Sequence, residues 1–92
     1  MSENQIASPI RVMIVDDHEI VRRGIAEIVD RADTLEVVAE AGTVEDALRR
    51  ADLVRPDVIL VDLQLPDGTG IDIMSALGQS HPDILPIVLT SF

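Results

Sequence analysis

Three aspartates stand where apolar runs stop. Ile10-Arg11-Val12-Met13-Ile14-Val15 leads into Asp16-Asp17, and Val58-Ile59-Leu60-Val61 leads into Asp62. Short runs this rich in Val, Ile and Leu read as strands buried on both faces, as in a parallel sheet. Doubly wound sheets keep their chemistry at the carboxyl ends of such strands. If the two strands are neighbours, the three acids share one small space, and like charges that close need a cation or a proton between them. Oxygen-only ligands suit a hard divalent ion such as Mg2+. A carboxylate beside that ion can attack a phosphoryl group and form an acyl phosphate, because the metal cancels charge that would otherwise repel the two. In such chemistry Asp62 is the nucleophile and Asp16 and Asp17 hold the metal. Thr90 ends a fourth apolar run, where its hydroxyl can hydrogen-bond a phosphoryl oxygen.

The elements that must position these groups alternate strand with helix, the pattern of βαβ units. Strands are expected at Ile10–Val15, Leu35–Ala41, Val58–Asp62 and 87–90. Between them, Glu19–Asp30 carries Ile20, Val21, Gly24, Ile25, Ile28 and Val29 as an i, i+4, i+8 helical stripe. Val44, Ala47, Leu48 and Ala51 form a second stripe, opened by Thr43 as N-cap with Asp46 three residues on. A third helix over 71–79 turns Ile71, Met74 and Leu77 inward. Pro56, Pro66, Pro82 and Pro86 fall between elements, as their missing N–H requires, and residues 65–70 read as a tight, glycine-assisted loop. Short connections and right-handed crossovers constrain the topology. The order 2-1-3-4, that of flavodoxin-like α/β sheets, places the switch point between the two strands that end in aspartate.

Composition sets the outer bounds. Ninety-two residues make one small domain, which buries only about 60–65% of its unfolded surface. Charged residues are 26% and hydrophobic ones 47%, as in a soluble globular protein. The net charge is −10, with seven arginines and no lysine, which argues against a grip on nucleic acid. Without cysteine, neither disulfides nor thiolate metal sites arise. Residues 1–8 lack the parts of a signal peptide and read as a disordered tail before a domain at 9–92. No apolar run approaches the roughly 18 residues of a membrane span, so a cytoplasmic protein is expected.

The string Val15-Asp16-Asp17-His18-Glu19-Ile20-Val21-Arg22-Arg23-Gly24-Ile25 carries a resemblance. With Asp62 before Leu63-Gln64-Leu65-Pro66-Asp67-Gly68-Thr69-Gly70, and with Val88-Leu89-Thr90-Ser91, it resembles a bacterial response-regulator receiver domain. The Asp16-Asp17-His18 opening and the arginine-rich first helix resemble the NarL/FixJ (LuxR-type) subgroup. The resemblance implies a two-component signalling module rather than an enzyme, with Asp62 phosphorylated by a sensor histidine kinase. It implies Mg2+ (or Mn2+) ligated by Asp17 directly, by Asp16 partly through water, by Asp62 and by the backbone carbonyl of Gln64. Thr90 matches the switch hydroxyl. Gln64 and Phe92 match positions that tune the lifetime of the acyl phosphate, and Phe92 is expected to shield it from water.

The chain also departs from that family. A receiver has five strands and five helices, whereas this sequence runs only to the fourth strand, without helix four, strand five, helix five or the lysine that pairs with the phosphoryl group. A longer parent protein is expected, with DNA bound through a C-terminal helix-turn-helix domain absent from these residues. Ile87, Val88 and Leu89 would form an open edge strand, favouring self-association by edge pairing or swapped elements.

Plainer readings stand beside these. Asp16 also fits a cap of the first helix, His18 a partly exposed first-turn residue, His81 a loop residue and Met74 core filler. Arg22-Arg23 fits either a kinase-facing surface or a solvated helix face, and Asp67-Gly68-Thr69 fits turn chemistry. Haloacid-dehalogenase-type phosphatases pair a nucleophilic Asp with a nearby Asp-Gly-Thr, but here Asp67 stands five residues after Asp62 rather than two. A non-phosphorylated interaction module on the same fold is the other alternative. A nucleotide-binding Rossmann site is not supported, since Asp16-Asp17-His18 offers no glycine-rich turn.

Overall fold

The computed structural model describes residues 8–89, so Thr90, Phe92 and residues 1–7 lie outside the described residues. In chain order come β1 (Ile10–Val15), α1 (Glu19–Asp30), β2 (Leu35–Ala41), α2 (Val44–Val54) and β3 (Val58–Asp62). They are followed by β4 (Gln64–Leu65), β5 (Gly68–Thr69), α3 (Gly70–Ser80) and β6 (Leu85–Leu89). Four strands form a parallel sheet in the order β2-β1-β3-β6, the expected flavodoxin-like arrangement. Val15 pairs with Val61, so the aspartates that follow β1 and end β3 are brought to one end of the sheet. Among the described residues no helix is long and apolar enough to cross a membrane.

Alternate side chains of each strand go to opposite faces. On one face Met13, Val15, Ile59 and Val61 pack with Ala47 and Ala51 of α2 and with Ile73 and Leu77 of α3. On the other, Val12 and Ile14 pack with Ala26 and Val29 of α1. A register shift lies in the β1–β2 ladder, where Val12 pairs with Val37 but Met13 with Ala39. Val38 is thus an extra residue, a bulge that reverses which face the rest of β2 addresses. Val37 joins the α1 side while Ala39 joins the α2 side, and Glu40, opposite Ile14, is turned toward α1.

Several expected details are corrected. In α1 the buried residues are Ala26 and Val29, whereas the i, i+4, i+8 line of Ile20, Gly24 and Ile28 is exposed. The helix meets the sheet along Ile25, Ala26 and Val29, and the rest of its apolar stripe is left to solvent. In α3, Ile73 is buried and Ile71 is exposed, because the stripe that faces α2 and the sheet runs through Gly70, Ile73 and Leu77. Pro86 lies inside β6 rather than between elements. The N–H of Leu85 donates to the carbonyl of Asp57 at 3.0 Å, so strand alternation turns the Pro86 nitrogen away from β3. An edge strand tolerates proline in that position. Residues 65–70 are not a bare loop, since β4 and β5 pair as an antiparallel hairpin.

Candidate functional site

The site begins where β1 leaves the sheet. Asp16 makes one last ladder bond, its N–H donating to the carbonyl of Ala41 at 3.0 Å, and it is buried. Its carboxylate folds back to accept the N–H of His18 at 2.8 Å. This Asx turn sets His18 as the N-cap residue of α1, whose own side chain makes no capping bond. Asp16 therefore does helix-opening work and also lines the site. Asp17, next along, has a side chain about one-third exposed. Asp62 ends β3 with only 7% of its surface exposed, and one of its oxygens accepts the N–H of Gln64 at 3.3 Å.

Oxygens of Asp16, Asp17 and Asp62 and a ring nitrogen of His18 all lie within 4.8 Å of one another. Taking carboxylates out of water with no positive partner is costly, so this cluster calls for a cation. The ring of His18, when protonated, supplies part of one. Its Nδ1 lies 3.0 Å from an oxygen of Asp16 and 3.1 Å from one of Asp17. The hydrogen bond to Asp16, and then the charge of Asp17, raise the imidazole pKa above its usual value. That a mostly exposed imidazole turns inward onto two carboxylates is an observation independent of any family. Carboxylate oxygens of Asp16, Asp17 and Asp62 converging within 4.8 Å form a donor set that fits Mg2+ or Mn2+. The expectation of a partly exposed histidine at the start of α1 meets an exposed side chain in the structure, but His18 is the N-cap rather than a first-turn residue, and the sequence pattern missed this contact.

The loop after Asp62 is fastened to two helices. The carboxylate of Asp67 accepts the N–H groups of Val44 at 2.7 Å and Glu45 at 3.1 Å, donors that the first turn of α2 cannot satisfy itself. Those two bonds hold the Asp67 pKa below the ordinary carboxylate value. Thr43 accepts from the N–H of Asp46, as its N-cap reading expects. Thr69 and Asp72 close a capping box at the start of α3, a Thr-x-x-Asp pattern that was available in the sequence. Gly70 is required by close approach, since a Cβ there would stand 2.5 Å from the Asp62 carbonyl oxygen. Turn chemistry thus describes Asp67-Gly68-Thr69 incompletely.

Behind the acids, both arginines of α1 converge on Glu40. Arg22 Nε is 3.1 Å from one oxygen and Arg23 Nη1 is 2.8 Å from the other. Arg23 is largely exposed, but Arg22 is mostly buried, so a solvated helix face describes only one of them. His81 is not a plain loop residue either, because its mostly buried ring meets Asp52 at 3.1 Å and links α3 to α2. The expected switch hydroxyl Thr90 and lifetime residue Phe92 fall outside the described residues, while Gln64 lies exposed in β4 beside Asp62.

Comparison with known proteins adds to this geometry. Residues 12–92 match the family described as response regulator receiver domain. The DNA-binding transcriptional activator DevR/DosR of Mycobacterium tuberculosis is 43% identical over 83 residues, which are 90% of this chain and 38% of that protein. The chain therefore spans about two fifths of the length of that relative. Among solved structures, a LuxR-family two-component response regulator from Aurantimonas superposes with a TM-score of 0.81 at 35% identity, covering 91% of this chain and 61% of that one. The non-phosphorylated receiver domain of RcsB from Escherichia coli gives 0.83 at 28% identity, covering 90% of this chain and 66% of that one.

Proposed function

We propose that this chain, which belongs to the response-regulator receiver-domain family, is a phosphoacceptor whose nucleophile is Asp62. The observation that carries the reading is the convergence of Asp16, Asp17 and Asp62 at the sheet's switch point, with an imidazole drawn onto two of them. An oxygen of Asp62 forms the new bond to phosphorus, and the bond from phosphorus to a histidine nitrogen of the donor breaks. Bound Mg2+ or Mn2+ would neutralise charge between the carboxylate and the incoming phosphoryl oxygens, held by Asp17, by Asp16, by Asp62 and by the Gln64 carbonyl. The buried position of Asp62 limits the water that competes for the phosphoryl group.

Other roles rest on the family motif alone. These are the switch hydroxyl at Thr90 and control of acyl-phosphate lifetime by Gln64 and Phe92. The proposed donor is a sensor histidine kinase. By analogy with DevR/DosR, whose name describes a DNA-binding transcriptional activator, the proposed output of the whole regulator is transcriptional, in the cytoplasm.

Intact mass after incubation with acetyl phosphate and Mg2+ tests the reading. One added phosphoryl group, absent in Asp62→Asn, is expected. No addition to a folded sample would favour a non-phosphorylated interaction module, and steady release of phosphate from a generic ester would favour a phosphatase.

A further inference from the structure

We infer that Arg22 is a positioning residue for the acid site, fixing the peptide that aims Asp17, and that it does so as a fork between β1 and β2. The inference rests on the metal-binding part of the reading above. Arg22 sits one turn into α1 yet reaches back to the strand end, where its Nη1 donates to the backbone carbonyl of Asp16 at 2.8 Å. That carbonyl is the first after β1 leaves the ladder, and a buried carbonyl without a donor is costly. Its peptide continues directly into the N–H of Asp17, so the guanidinium holds the plane from which the Asp17 side chain departs. The carboxylate of Asp17 is one-third exposed, and the His18 ring beside it is itself 67% exposed. The direction in which Asp17 points is therefore set mainly through its backbone.

The other tine of the fork is anchored on β2. Arg22 Nε donates to Glu40 at 3.1 Å, and Arg23 holds the second oxygen of the same carboxylate. Glu40 is available to α1 only because the bulge at Val38 turns it to that face. Without the extra residue, Glu40 would share the face of Glu36, on the far side of the sheet. Bulge, glutamate and arginine all serve the same peptide. Outer partners of metal ligands are worth roughly 10–100-fold in metal affinity.

Coulomb's law alone makes the opposite prediction, which gives the test its force. A cation that only repelled the metal would, once removed, leave it bound more tightly. Positioning predicts weaker binding instead. The probe is Mn2+ alone, its free fraction read by electron paramagnetic resonance, with far-UV circular dichroism and thermal unfolding run on every variant. Arg22→Met is expected to weaken Mn2+ binding by about tenfold. Arg22→Lys keeps the charge but, as a point donor, cannot serve the carbonyl and Glu40 together, and about a threefold loss is expected. Equal or tighter binding by folded Arg22→Met overturns the inference. Should Arg22→Met fail to fold, Arg22→Lys decides, and wild-type affinity there overturns it. If the wild-type protein binds no Mn2+, the metal-binding reading falls, and the inference with it. Wild-type binding that both variants match removes the inference alone.

Discussion

On the α2–α3 side of the sheet Met13, Val15, Ile59 and Val61 are wholly sealed from solvent. On the α1 side Leu85 and Ile87, in register with Val58 and Leu60, stay 57% and 44% exposed, and α1 itself turns Ile20 and Ile28 outward. One face is thus closed over β1 and β3 by two helices, although Val88 on its edge strand stays 38% exposed, while the other carries one helix that covers only part of it. Hydrophobic stabilisation follows area removed from water, so the closed face should supply most of the stability of the described fold. The open face keeps apolar surface of the kind that marks contact with another element or molecule. The acid site lies at the end of the strands common to both faces.

Single substitutions can break or sharpen this contrast. Ile59→Ala should cost about 3 kcal/mol, through lost transfer energy plus a cavity, whereas Ile28→Ala should stay within about 0.5 kcal/mol. Chemical denaturation of the two variants measures the difference. Comparable losses would mean that the α1 face is covered as well as the other.

Gly70→Ala is expected to cost about 2 kcal/mol, since its Cβ meets backbone rather than a yielding side chain. Because the clash falls on the Asp62 carbonyl, Mn2+ affinity should drop along with the unfolding midpoint. A loss of stability alone would separate the loop from the site.

The smallest effect concerns the tie between the Asp62 loop and α2. The folded-state pKa of Asp67 is lowered from 3.8 by the N–H groups of Val44 and Glu45. Its contribution to stability is thus present above the unfolded value and is lost as pH falls through the lower folded one. Asp67→Asn should lower the melting temperature at neutral pH and converge with wild type in strong acid. A constant gap across that range would show that the charge is not the cause.

Much of this organisation was legible in the residues. β1 and β3 are dominated by Val, Ile, Leu and Met, and β2 sets apolar residues around Glu36 and Glu40; the limits of all three coincide with those expected, and Thr43 marked the start of α2. Periodicity names the residues that share a stripe but not the stripe that faces the sheet. For that reason Ile71 was expected in a place that Ile73 occupies, and Ile20 and Ile28 proved exposed. Aspartates at strand ends were likewise readable, because the switch point follows from topology. The bulge at Val38, the fork of Arg22 and the grip of Asp67 on α2 were not. The tie of Arg22 to Glu40 spans 18 residues and that of Asp67 to Val44 spans 23, while the bulge depends on a one-residue slip in pairing, and none of these leaves a local pattern.

The most direct test of the central claim is to locate the phosphoryl group itself. An acyl phosphate is reduced by borohydride, which converts the modified aspartate to homoserine, and peptide mapping then reads its position. Treatment of the protein with acetyl phosphate and Mg2+ should place homoserine at residue 62 and nowhere else. Homoserine at Asp16 or Asp17, or none in folded and fully treated protein, would contradict the assignment of Asp62 as the phosphoacceptor.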